Sequence, residues 1–305
     1  MSESITALGT DMRSYYGRPI LKEPVWQPEI PWYLFTGGLA GASSLLGLAA
    51  RATGNRPLAK AGLYISMAGD AVSPVLLVSD LGRPERFLNM FRVFKVTSPM
   101  SVGSWILSAS GASTAVATGL ELLGRAPRSK VLAETVSAAF GAPLSVYTAT
   151  LLSDTAIPVW HEARRELPFV FGAGAAASAG AAAAAIVAPE DAGPARRLAV
   201  GGAAVGTVAM LAMEARLGMV GEPYHQGEAG IYNLAAKLCT VAGAALLATS
   251  AKRSRLAAIA GGGLLLAGEA ALRWSVFKAG FQSARDPKYV VEPQRRRKGW
   301  GLTPA

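Results

Sequence analysis

The chain of 305 residues is 51% hydrophobic and 16% charged, with a mean hydropathy of +0.31 and a formal net charge of +10. A soluble domain carries about 25% charged residues, so this balance excludes an ordinary soluble globule. The charge sits mainly in gaps between apolar runs, which points to anionic headgroups and a protein partner and excludes nucleic acid.

Residues 1–30 form a polar arm that ends in Pro24, Trp26 and Pro28, with Pro31 and Trp32 just beyond it. Trp26 and Trp32 stand where interfacial aromatics are expected. The opening Met-Ser-Glu-Ser has neither the basic start nor the apolar core of a cleaved leader, so the first span is expected to act as its own signal. Eight apolar stretches then follow at 31–50, 59–79, 100–123, 131–153, 167–187, 198–213, 232–250 and 256–275. Most are close to the ~20 residues that cross a hydrocarbon core of roughly 30 Å. The expected fold is all-α, a polytopic integral membrane bundle of eight transmembrane helices over residues 31–277, followed by a basic tail at 278–305. Division into two four-helix halves is compatible with this, although no sequence repeat marks it. Small residues such as Gly37 and Gly41, and the Gly/Ala/Ser run at 172–185, suit close helix packing in lipid.

With eight spans both ends lie on one side, here called side A. Side A also carries the longer connections 80–99, 154–166 and 214–231, rich in proline, aromatics and mixed charge. Side B carries short basic loops around Arg51, Arg56 and Lys60, around Arg125, Arg128 and Lys130, around Arg196 and Arg197, and around Lys252, Arg253 and Arg255. Short loops dominate the positive-inside rule, which places side B in the cytoplasm and side A, with both termini, outside the cell membrane. The basic run from Arg295 to Lys298 on side A argues the other way, and its plain reading is a solvated or lipid-touching tail.

Ionisable residues inside the apolar stretches are functional candidates by default. Asp70 lies ten residues before Asp80, hence ~15 Å deeper along a helix. It stands beside a Ser66, Ser73, Asp80 stripe, so this polar face is expected to point into the bundle. Asp70 reads as a proton relay or as a carboxyl bonded to a neighbouring serine, and Pro74 is expected to bend this helix. Tyr147 and Asp154 are seven residues apart and share a face, with Tyr147 about two turns deep. Glu269 and Arg273, four residues apart, suit an ion pair. Lys237, with Asn233 on its face, is explained by snorkelling, and Glu29, Glu214 and Arg216 read as interfacial charges at helix ends. The single cysteine, Cys239, builds no disulfide, zinc or iron–sulfur site. His161 and His225 fall in loops, leaving no helix histidine for haem b. The chain therefore holds no haem or metal motif with which to store electrons. Ionisable groups gather toward side A, and a polar pocket is expected to open there.

Four segments carry a family pattern: IPWYLFTGGLAG at 30–41, SDLGRPERFLN at 79–89, TSPMSVGSW at 97–105 and LLSDTAIPVW at 151–160. Together they resemble the NrfD/PsrC family, the membrane subunit of polysulfide-reductase-like respiratory complexes, over the first half of the chain. The resemblance implies an eight-helix, haem-free anchor that binds menaquinone or ubiquinone. It also implies a ferredoxin-like iron–sulfur subunit and a molybdopterin catalytic subunit as partners. Tyr147 matches the tyrosine that relatives place at the quinone head group, with Tyr33 and Glu29 bordering the same pocket. The histidine that some relatives carry on the first helix is absent. Asp70, Asp154 and Glu269 are the candidates for proton transfer, and Asp80, Arg83, Arg86 and Arg92 for partner docking. A proton- or ion-coupled transporter fits the intramembrane acids and the proline-bearing helix equally well. An assembly anchor without quinone is a third reading.

Overall fold

The computed structural model describes residues 20–252 and 254–297. The polar arm before Ile20, Arg253 of one side-B loop and the basic tail from Lys298 onward lie outside the described residues. Among the described residues there is no strand, and eight helices are long and apolar enough to span a bilayer. They are α1 Glu29–Ala52, α2 Arg56–Ser79, α3 Pro99–Leu123 and α4 Pro127–Ser153, then α5 Leu167–Ile186, α6 Gly193–Leu217, α7 Gly227–Thr249 and α8 Arg255–Arg285. The expected all-α, eight-span bundle is the fold.

Local chemistry sets the helix ends. Proline occupies the first turn of α2, α3, α4, α5 and α6, where its missing N–H removes no helical bond. Asn55 caps α2 by accepting from the Leu58 amide at 3.1 Å, and Ser254 caps α8 through the Ala257 amide at 3.3 Å. α3 stops at Gly124, whose φ of 61° is the left-handed conformation that favours glycine. Most of the helices outrun their apolar stretches because the charged turns at either end reach the interface. α8 continues furthest, well past Lys278, and packs Gly280 against the indole of Trp160. The Trp160 indole nitrogen donates to the Val276 carbonyl at 2.7 Å, and Trp26 stacks on the ring at 5.5 Å. The Glu23 carboxylate accepts from two Arg285 guanidinium nitrogens, Nε and Nη2, each at 3.0 Å. This pairing lowers the Glu23 carboxyl from its ordinary value. The segment before α1 is thereby fastened to the end of α8.

The packing order repeats. α1 and α3 each pack on α2 and α4; α5 and α7 each pack on α6 and α8. Two four-helix halves result, joined mainly where α1 and α4 meet α5 and where α1 meets α8. Glycine permits the closest crossings. At Gly41 of α1 and Gly141 of α4 the backbones touch, and a Cβ on Gly41 would overlap the Gly141 carbonyl. With no hydrophobic drive between helices in lipid, such contacts supply dispersion and exclude mobile acyl chains.

Overpacking this crossing with Gly41→Ala is expected to cost about 1–3 kcal/mol. Gly119→Ala, with no atom within 4 Å of the added methyl, leaves stability unchanged or raises it slightly. Thermal unfolding of the two variants in detergent checks the difference.

Candidate functional site

The first half carries two tyrosines whose hydroxyls meet inside the bundle. Tyr33 of α1 is fully buried, Tyr147 of α4 is 8% exposed, and the Tyr33 hydroxyl donates to that of Tyr147 at 3.3 Å. The Tyr147 ring lies against Gly103 of α3, where a Cβ would overlap it. Gly103 belongs to the TSPMSVGSW segment, so that motif contributes a flat bed for the phenol. Leu34, Leu144, Leu107 and Phe171 belong to the same apolar cluster. Each hydroxyl has the other as partner, so a carbonyl docking here exchanges one hydrogen bond for another.

Below the pair, the buried polar groups form a descending series. The Tyr33 ring and the Ser73 hydroxyl both border Gly37, and Ser73 shares a 2.9 Å hydrogen bond with Thr36. One turn deeper on α2 is Asp70, 3% exposed. Its carboxyl accepts from Ser66 at 3.4 Å, from Ser110 at 3.3 Å and from Thr114 at 2.8 Å. No cation among the described residues pairs with it. Thr114 is bonded at 2.7 Å to Ser137 of α4, and the Ser44 hydroxyl donates to the Ser137 carbonyl at 3.4 Å. Ser137 and Ser44 border a cavity of about 10 Å³ with Glu134, roughly the space of one water. Glu134, itself buried, pairs with Arg51 at the side-B end of α1. The expectation that the Asp70 face of α2 turns inward holds, and the carboxyl has serine partners as one reading required. The continuation to Glu134 was not visible in the sequence, because it depends on α1 and α3 facing α4.

The second half is arranged differently. Glu269 and Arg273 of α8 are both buried and pair at 3.5 Å, matching the expected ion pair. Arg273 also donates to the Phe171 carbonyl at 3.0 Å and lies 4.2 Å above the Phe171 ring. Glu269 therefore stands in the α5–α8 half, with no contact to the tyrosine pair. Glu214 differs from expectation. Its side chain is 9% exposed, and both of its oxygens accept from Lys237 at 3.0 Å. One of them also accepts from Asn233 at 2.9 Å. Glu214 is thus held in a bridge between α6 and α7, while the Lys237 side chain stays 37% exposed. Arg216 pairs with Glu166 across the side-A surface.

At the side-A rim, Glu29 begins α1 on the same face as Tyr33, one turn away. Its Oε2 is buried and has no hydrogen-bond partner. Asp80 follows α2 and accepts from the Gln27 amide at 2.8 Å. Partial burial pushes the Asp80 carboxyl up from its ordinary value, the Gln27 amide opposes this, and the nearby charge of Glu29 adds to the rise. Asp154 ends α4 as an exposed residue, without contact to Tyr147. Arg83, Arg86, Arg92 and Lys95 are exposed on the α2–α3 connection, which includes a 3-10 turn at Pro84–Phe91. Leu88, Val93, Phe94 and Val96 are exposed among them.

The chain matches the protein family described as Polysulphide reductase, NrfD, over residues 21–188, which takes in α1 to α5, the tyrosine pair and Asp70. No curated protein matches it. More than half of the chain lies within the family match, and the chain belongs to the NrfD family of multi-pass membrane proteins, the membrane subunits of quinone-interacting oxidoreductase complexes.

Proposed function

We propose that this chain is the membrane anchor of a respiratory oxidoreductase, exchanging electrons between a quinone and an iron–sulfur partner docked on side A. The observation that carries this reading is the buried Tyr33–Tyr147 hydroxyl pair, with the Thr36–Ser73 bond and the hydroxyl cluster around Asp70 on the helices beside it. The residues present suit a quinone: two phenols to donate to a carbonyl oxygen, an apolar surround, and the unpartnered Glu29 oxygen at the rim. Menaquinone or ubiquinone, when bound, supplies a two-electron, two-proton redox couple. Tyr147 orients a carbonyl oxygen, Tyr33 supports it, and Glu29 faces the rim. Asp70 holds a proton among hydroxyls, each able both to donate and to accept. Asp154 and Glu269 serve proton movement only indirectly, since neither touches the pair.

The exposed α2–α3 connection provides the docking surface. Its arginines, together with Asp80, offer charge complementarity, and Leu88 and Phe94 offer apolar area, a mixture that suits a protein interface core and rim. A ferredoxin-like subunit there, with a molybdopterin subunit behind it, places an electron carrier above the tyrosines. Side B, with its short basic loops, faces the cytoplasm. A second reading, a proton- or ion-coupled transporter, is favoured by one observation. The buried polar groups continue past Asp70 to Glu134 and Arg51 on side B.

Tyr147→Phe is expected to lower quinol-linked turnover roughly 10²-fold, the low end for a positioned proton donor. Complex assembly stays intact, and steady-state turnover on purified complex reads the change. Unaltered turnover removes Tyr147 from the site. Asp70→Asn is expected to slow proton-coupled turnover and flatten its pH profile. In vesicles holding the chain without its partners it leaves internal pH unaffected. Proton movement in those vesicles that Asp70→Asn abolishes supports the transporter instead. Reversing Arg83, Arg86 and Arg92 to glutamate is expected to strip the iron–sulfur subunit during co-purification, while the chain itself still inserts in the membrane.

A further inference from the structure

The side-B ends of α6 and α7 enclose a cavity of about 330 Å³ lined by Arg196, Arg197 and Lys252 together with Val200, Leu247 and Ala248. That volume falls in the range of small-molecule sites, about 300–1,000 Å³. Its charge is uncompensated. None of the three cations forms an ion pair among the described residues, although Glu190 and Asp191 precede α6 in the same connection. Arg196 is half-buried and steadied by a 2.7 Å bond to the Pro189 carbonyl, while Arg197 and Lys252 are exposed. The other basic cavity on side B, about 510 Å³ and lined by Arg51, Arg56, Lys60 and Lys130, has three of its four cations held by carboxylates. There Glu121 holds both Lys60 and Lys130, and Glu134 holds Arg51.

The walls name the ligand class. Three cations at the interface match a phosphodiester, with guanidinium forks suited to its oxygens and an ammonium suited to its charge. The aliphatic side of the cavity leads onto the α6–α7 seam, which is the looser pairing in its half and exposes Val205, Val208, Leu238 and Val241 outward. A free anion uses only the cations, whereas a phospholipid uses the whole cavity. We infer that this cavity is a binding site for an anionic phospholipid headgroup, with an acyl chain laid along the α6–α7 seam. The site lies apart from the tyrosine pair and does not rest on the proposed redox function.

The test uses the full chain in nanodiscs of phosphatidylcholine doped with phosphatidylglycerol, with retained lipid counted by native mass spectrometry. The variant R196Q/R197Q/K252Q is expected to hold phosphatidylglycerol on the order of 10²-fold more weakly, taking the usual contribution of each basic residue at an anionic surface. R196K/R197K/K252R is expected to retain it. R56Q/R125Q/R128Q, which removes equal charge from other side-B loops, is expected to behave as the parent does. Inorganic phosphate is expected to displace the lipid poorly. Equal loss in both glutamine variants reduces the effect to general surface charge and overturns the site. Complete displacement by inorganic phosphate makes it a free-anion site and overturns the lipid assignment. Unchanged retention in R196Q/R197Q/K252Q overturns the proposal outright.

Discussion

Hydrocarbon offers no hydrogen bonds, so each polar side chain carried into this bundle has to be answered by another from a neighbouring helix. Asp70 shows what that constraint builds. Three hydroxyls from α2 and α3 converge on one carboxyl, and Thr114 passes the network on to Ser137 of α4. Such a cluster fixes how α2, α3 and α4 are rotated about their axes, because a turn of any one strands a polar group in apolar surroundings. The same rotation sets Gly103 against Tyr147 and brings Tyr147 to Tyr33. Buried polarity thus specifies the first half, and glycine contacts such as Gly41 with Gly141 let the helices approach closely enough to satisfy it.

The second half meets the same constraint with full charges. Glu214 with Lys237, and Glu269 with Arg273, join opposite charges where the first half uses hydroxyls. Fully buried ion pairs, such as Glu269 with Arg273, cost more desolvation than neutral networks and are weak evidence for stability. They do resist rearrangement, since removing one partner leaves the other charge alone in a low dielectric. The packing order is repeated but the chemistry is not. A stiff, ion-paired half stands beside one whose hydroxyls can exchange donor and acceptor roles.

Much of this was readable along the chain. Eight apolar runs gave the spans, Asp70 stood out by depth, and four motif segments gave the family, which the match over residues 21–188 bears out. What stayed hidden depends on which helix faces which. Glu214 read as a surface charge because nothing local tells that α7 presents Lys237 and Asn233 to it. Glu134 sits in the first turns of α4, near Arg128 and Lys130, and its partner Arg51 is distant in sequence. The extension of α8 to Arg285 was masked by falling hydropathy, although the aromatic spacing of Phe277 and Phe281 carries a helical face onto Trp160. A residue's depth follows from hydropathy; its partner follows from rotation and adjacency, which no single segment encodes.

The α2 helix ties these levels together. Asp70 lies midway along it, Ser73 one turn above, and Asp80 just past its end, fixed to the Gln27 amide beside the start of α1. At ~1.5 Å per residue the rim and the buried acid are ~15 Å apart along one helix, with Pro74 between them. The exposed arginine connection begins at that same rim, as does the helix that carries Glu29 and Tyr33. The connection thus continues α2, which carries Ser73 and Asp70, while Tyr33 stands on α1 and Tyr147 on α4. The exposed connection and the buried acid share one helix, and the Asp80–Gln27 bond ties that helix to the start of α1.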